Sequence, residues 1–369
     1  MNYVEQQDIA EITACLKLIR WRGLGLKYKY RVVWKLQSCT AALDLNIDEW
    51  QQIAKQKVVS KQLPQYCDIQ KDLAWLKNAE NRFITIFDDS YPTALKTLVD
   101  PPLGLFVKGD HSVLNNPQLA IVGSRRQTPS GKKNASQFAY DLSKVGIAIT
   151  SGLAKGVDSS AHYAACEVKG KTVAVLGSGI DIIYPRQNEA LAKMVQKNGC
   201  LLSEFPIGTP PRKENFPARN RVIVGLSEGV LVVEAAQRSG SLITARLAME
   251  QGKEVFAVPG SILSPQSKGC HWLIQQGAVL TQSIDDILFE LQLPLLKRMS
   301  ESSVHQNTAS ENSLKPCKVL AAIDYQATTI DQISQMIDVD FQALSRRLLE
   351  LELEGLIARA HNGDYFRLT

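Results

Sequence analysis

Residues 206 to 221 read PIGTPPRKENFPARNR, a stretch that sets Arg212, Lys213, Arg219 and Arg221 around Phe216, with Glu214 the only acid between Arg212 and Arg221. Guanidinium forks grip phosphate oxygens in pairs, and an aromatic face stacks on a base, so this mixture suits a phosphate-bearing partner. Taken alone it reads equally well as a solvated basic loop that runs into a helix. Four further turns weigh on the choice. They are Gly123-Ser124-Arg125-Arg126, Ser151-Gly152-Leu153-Ala154-Lys155-Gly156, Gly177-Ser178-Gly179 followed by Tyr184-Pro185-Arg186, and Arg238-Ser239-Gly240-Ser241 after Glu234. Each joins glycine, hydroxyls or a cation where an apolar run ends. A single such turn is more often tight geometry than a ligand site. Four on one sheet edge, beside the basic segment, favour an anion site.

The same turns exclude common nucleotide motifs. Gly177-x-Gly179 has no third glycine before Tyr184, and no G-x-x-x-x-G-K-[ST] occurs, which argues against a dinucleotide fold and a P-loop ATPase. Asp158 and His162 stand one helical turn apart without a third ligand in view. They read as a helix N-terminal charge and a packed histidine rather than a metal or acid–base pair.

Short β-branched runs alternate with helical patterns through the middle of the chain: 119–122, 147–150, 172–176, 200–202, 230–233, 255–258 and 277–280. Continuous apolar strands separated by helices require a parallel sheet covered on both faces. The spacing predicts a doubly wound α/β core over 91–295, preceded by a helical region at 1–90. Residues 296–316 are serine-rich and polar, which predicts a flexible linker. In 317–369, three helical patterns precede two short strands around Asn362-Gly363, a winged helix.

The net charge of +5 is mild, but it is unevenly spread. Residues 91–295 hold 21 Lys and Arg against 16 Asp and Glu, whereas 315–369 hold 6 against 8. The core is therefore the better anion binder. Seven cysteines, none at C-x-x-C spacing, argue against disulfides and zinc. The polar, acidic start and the lack of long apolar runs predict a cytoplasmic protein without a membrane segment.

Seven basic residues lie between Leu16 and Leu36 without an acid, interleaved with Trp21, Tyr28, Tyr30 and Trp34. Gly23-Leu24-Gly25 among them resembles a helix-hairpin-helix turn. An accessory DNA contact and a plain solvated face over a small helical core both fit. The third helix of the winged-helix segment, 341–354, sets Arg346 and Arg347 against Glu350, Glu352 and Glu354. Phosphates repel such an end, so a protein-contact or regulatory role is expected there.

The ordered set Gly123-Ser124-Arg125, Ser151 to Asp158, Tyr184-Pro185, Ser203-Glu204, Asn215 to Arg221, Glu234-Ala235, Ser239-Gly240-Ser241 and Val258-Pro259-Gly260 strongly resembles the DNA-processing protein A (DprA/Smf) family over about 91–295. That resemblance implies an extended Rossmann-like core with an N-terminal SAM/helix-hairpin-helix-like domain and a C-terminal winged helix. It implies a non-enzymatic protein without a cofactor that binds single-stranded DNA, dimerises, and brings RecA to the strand during natural transformation. The residues implied to meet DNA are Gly123, Ser124, Arg125, Ser151, Gly152, Lys155, Gly177, Ser178, Gly179 and Arg186, then Asn215, Phe216, Arg219, Asn220, Arg221, Ser239, Gly240 and Ser241. Glu234 is expected to orient Arg219 or Arg221, or to form a structural ion pair. The segment 247–277 is expected to carry the homodimer contact, with Met249, His271 and Trp272. Its Cys270-His271 departs from the family's usual Asn before Leu-Ile. A nucleotide phosphoribohydrolase with a similar core is the rival. Aligning its P-G-G-x-G-T-x-x-E motif on Thr244 puts Leu247 where the catalytic acid belongs. A scaffold that binds a small nucleotide is a third reading.

Overall fold

The computed structural model describes residues 9–59, 64–292, 318–323, 328–337, 341–360 and 363–368. It divides into two compact units, residues 1–127 with 134–296 and residues 128–133 with 297–369. The expected linker at 296–316 lies outside the described residues.

The first unit is built on one nine-stranded sheet. Its strands are β1 (Asn81–Thr85), β2 (Gly104–Gly109), β3 (Gln118–Val122), β4 (Ala148–Ser151), β5 (Thr172–Val175), β6 (Cys200–Ser203), β7 (Gly229–Val232), β8 (Glu254–Ala257) and β9 (Val279–Leu280). Their order is β1-β2-β6-β5-β4-β3-β7-β8-β9. Strands β6 to β9 in that order pair in parallel, while β1–β2 and β2–β6 are antiparallel. The sheet thus starts at Asn81, ahead of residue 91, where the pattern of apolar runs put the start of the core.

Alternation along the strands sorts the core onto two faces. Leu119 and Ile121 of β3 pack with Phe138, Leu142, Val157 and Ala161 from the helices Pro129–Lys144 and Val157–Glu167. Ala120 and Val122 point into the other layer, with Val222 and Val224 of the helix Asn215–Leu226 and Ala245 of Gly240–Glu250. The N-terminal helices Ile9–Arg20, Leu26–Leu36, Cys39–Leu43 and Ile47–Ala54 continue that second layer around the fully buried Trp50. Arg20 forks onto the buried Asp72, and its Nη2 also donates to the Ile207 carbonyl at 2.9 Å. Asp72 in turn accepts from the Ile207 amide at 3.0 Å, so the helical region is tied into the loop after β6.

In the second unit, helices Lys318–Ala321, Ile330–Met336 and Phe341–Leu353 precede a hairpin of β10 (Ile357–Arg359) and β11 (Tyr365–Arg367). Ile333, Leu344, Leu348, Leu351 and Ile357 form its core. Arg346 and Arg347 both pair with Glu350, so the helix neutralises its own cations. No helix among the described residues is long and apolar enough to cross a membrane.

Candidate nucleic-acid interface

Chain order reverses between β3 and β7, whose following loops leave in opposite directions and open a crevice at the strand ends. A cavity of about 570 Å³ fills that crevice. Gly123, Ser124, Arg125 and Arg126 line it after β3, and Arg238, Ser239, Gly240 and Ser241 after β7. Phe216, Arg219 and Asn220 supply a third wall from the helix Asn215–Leu226.

The two sides offer an anion complementary groups. Arg125, Arg126 and Arg238 are exposed cations on the rim. Gly240–Glu250 begins at the wall with Ser239 as its N-cap, the Oγ accepting from the Ser241 amide at 3.3 Å. A helix N-terminus carries partial positive charge and unpaired amides, which favour phosphate oxygens. A Cβ built on Gly240 would meet nothing within 4 Å, so the approach is open.

Aromatic surface adjoins the cations. The Phe216 ring lies 5.4 Å from the Arg125 guanidinium carbon and 5.9 Å from that of Arg219. Tyr184, about half exposed, sets its ring centroid 5.9 Å from Phe216. Gly177 lies against this ring, where a Cβ would come within 2.9 Å of it. Asn215 holds the adjoining loops together, its Nδ2 donating to Gly177 O at 3.0 Å and Pro210 O at 3.3 Å.

Beneath the rim sits a buried charged floor. Arg219 is 4% exposed and donates to the carbonyls of Gly152, at 2.7 Å, and Val175. A Cβ on Gly152 would stand 2.5 Å from its Nη1, so a side chain there would displace the guanidinium. Asp158 accepts from the amides of Gly152 at 3.1 Å and Ala154 at 3.3 Å. Burial pushes its carboxyl up, opposed by the Arg219 charge and those amides. Burial also brings the Arg219 guanidinium down to about 10, with Asp158 opposing and Arg125 reinforcing.

The structure separates the sequence candidates. It gathers Gly123, Ser124, Arg125, Phe216, Arg219, Asn220, Ser239, Gly240 and Ser241 around one cavity. Gly152, Gly177 and Asn215 stand behind it as packing partners. Ser151 and Ser178 are turned inward, their hydroxyls donating to Ile121 O at 2.6 Å and Ile182 O at 2.7 Å, so neither presents a donor to the cavity. The Gly179 amide is committed to Thr209 O at 2.8 Å. Lys155 and Arg186 are exposed but do not line the cavity. Arg221 stands apart from the cavity lining: it pairs with Glu204 and lies 3.5 Å from Asp100. The Asp158 charge acts on Arg219, and Glu204 pairs with Arg221. Arg126, Arg238, Gln266 and Tyr184 join the site although the sequence candidates omitted them. Arg126 and Arg238 stood in the turns already singled out, whereas nothing local marked Gln266.

A family model described as DNA recombination-mediator protein A matches residues 82–292, and one described as DprA winged helix domain matches 306–363. Protein Smf of Escherichia coli is 44% identical over 303 residues, 81% of each chain. The chain belongs to the DprA/Smf family. Two solved DprA structures align with it. DprA from Streptococcus pneumoniae is 38% identical with a TM-score of 0.67, covering 78% of this chain and 99% of that one. DprA from Helicobacter pylori, described for its single-stranded DNA binding mode, is 33% identical with a TM-score of 0.53, covering 58% and 96%. The family match thus spans the DprA core and the winged helix that the sequence implied.

Proposed function

We propose that this DprA-family chain is a recombination mediator that binds single-stranded DNA in the crevice between β3 and β7. It acts without catalysis or cofactor, protecting incoming strand and handing it to RecA during natural transformation. The carrying observation is the Phe216 ring beside the guanidiniums of Arg125 and Arg219, lining one open cavity together with a capped helix N-terminus. Cations and amides hold phosphates without reading sequence, and Tyr184 with Phe216 offers ring surface to unstacked bases. The likeness to a DprA described for single-strand binding supports the same reading. Assembly as a homodimer through the β8–β9 side of the sheet belongs to the proposal.

The test is single-strand binding over a salt series. Arg125→Ala should weaken binding by ~1–3 kcal/mol and flatten the salt slope by ~0.7. Arg186→Ala, outside the cavity lining, should add a smaller loss. Unchanged affinity and slope in the Arg125→Ala, Arg186→Ala double variant would remove DNA from the crevice. Release of free base from nucleoside monophosphates would instead favour the hydrolase reading.

A further inference from the structure

A second surface joins cations to rings, on the helix Leu26–Leu36. There Lys27, Tyr30, Arg31, Trp34 and Lys35, with Val99, line a concavity of about 470 Å³ whose lining holds no acid. Positions 27, 30, 31, 34 and 35 are spaced three and four apart, which places them on one stripe of the helix. Val32 and Val33 face the core from the opposite side.

Five of the seven cations of this region divide between two tasks. Lys29 is buried, its Nζ donating to the carbonyls of Leu18, at 2.7 Å, and Trp21, where burial brings its ammonium down to about 8. Arg20 is committed to Asp72. Those two hold the fold. Lys27, Arg31 and Lys35 stay exposed around Trp34, itself 44% exposed. Its indole is backed by Phe87, with centroids 6.5 Å apart and planes 18° apart, and flanked by Tyr30 at 5.7 Å. An aromatic ring held from behind and open in front, among cations, is a platform for stacking rather than a core element. Asp100, next to Val99, lies 3.5 Å from Arg221 on the helix that carries Phe216, so this surface and the crevice share one structural unit.

We propose that this stripe is a second contact for single-stranded DNA, stacking a base on Trp34 while Lys27, Arg31 and Lys35 take the flanking phosphates. The proposal rests on the single-strand reading of the crevice and extends the strand beyond it. A short oligonucleotide fills the crevice alone; a longer one reaches both.

The full chain and its Lys27→Ala, Trp34→Ala, Lys35→Ala variant would be titrated with oligothymidines of about 6 and about 30 nucleotides. Arg31 is left in place because its Nη1 donates to Ala54 O at 2.9 Å. The triple variant should bind the short strand as the parent does. It should bind the long one about fivefold or more weakly, with a salt slope shallower by ~1.4. Trp34→Phe, which keeps a ring, should retain most of the long-strand affinity. Parent-like long-strand binding by the triple variant would overturn the proposal and give the stripe to another occupant, such as an acidic peptide. Equal losses for Trp34→Phe and Trp34→Ala, accompanied by a lowered melting temperature, would overturn it as damage to the fold. If Arg125→Ala weakens the short strand while the triple variant is silent, the stripe falls and the crevice stands. If the parent binds neither strand, both fall.

Discussion

Arg219 and Arg221 lie two residues apart on one helix, so their side chains project about 200° apart around its axis and cannot serve one pocket. Arg219 turns to the carbonyls beneath the crevice, and Arg221 to Glu204 and Asp100 on the other side. The same buried region contains His162, fully enclosed, with Nδ1 2.8 Å from Thr172 Oγ1. Thr172 donates its own proton to Ile149 O at 2.7 Å, so it accepts from a protonated Nδ1 and leaves Nε2 as the bare nitrogen of a neutral ring. Burial, reinforced by the Arg219 charge, lowers the His162 pKa to about 3. An unfolded chain takes up that proton near pH 6.5, roughly its ordinary value. The stabilisation is therefore complete above about pH 6.5 and lost as pH falls toward 3, at about 1.4 kcal/mol per pH unit. His162→Asn removes this titration. The variant should be less stable at pH 7 yet lose less melting temperature than the parent between pH 6.5 and 4.5. Parallel pH curves for the two proteins would rule His162 out as their source.

At the scale of elements, the helix Asn215–Leu226 decides where Phe216 and Arg219 stand. Its last turn is buried from Val222 to Leu226; Ser227 caps it, its amide donating to Val224 O and its hydroxyl to Ile223 O, and a lysine joins it at the helix end. Lys253, in the turn before β8, donates to Val224 O at 2.8 Å, Gly225 O at 2.9 Å and Ser227 O at 2.6 Å. A cation on terminal carbonyls satisfies them and opposes the helix dipole. Lys253→Met keeps the aliphatic stem and removes all three bonds. It should cost about 1–3 kcal/mol, seen as a lower denaturation midpoint, with the salt slope of strand binding unchanged. An unaltered midpoint would show that the carbonyls find other partners. The strands β3 to β8 were legible because β-branched runs buried on both faces have one reading. Asn81–Thr85 and Gly104–Gly109 were not, since each is a short run with polar or glycine ends whose partner lies far along the chain. In the site, the turns could be read from glycine, hydroxyl and cation together. Which hydroxyls face in could not: Ser151 ends β4, and Ser178 bonds a carbonyl four residues on. A turn's composition does not fix that direction.

At the scale of the molecule, the sheet ends differently on its two sides. β1 is paired to β2 beside the N-terminal helices, whereas the opposite end finishes in β9, two residues long, with Leu280 about half exposed. Exposed apolar side chains gather on the elements around that end. Ile262 and Leu263 follow β8, and Phe289, 83% exposed, lies on the helix Ile284–Leu291 that packs on it. Met249 is partly open, Trp272 is packed in part against the core, and His271 Nε2 lies 2.9 Å from Gly260 O. An open edge and a nearby apolar surface favour pairing with a second copy, and a twofold axis closes the assembly. The exposed side chains shift the expected contact outward from His271 and Trp272 toward Leu263, Leu280 and Phe289. Light scattering at tens of micromolar should give twice the chain mass, and Leu263→Lys with Phe289→Lys should return the monomer without lowering the melting temperature. Two strand-binding crevices in one particle would then let a dimer bridge strands, so the monomeric variant should bind a short oligonucleotide normally and fail to hold two strands together. A wild-type chain that scatters as a monomer removes the dimer and bridging with it.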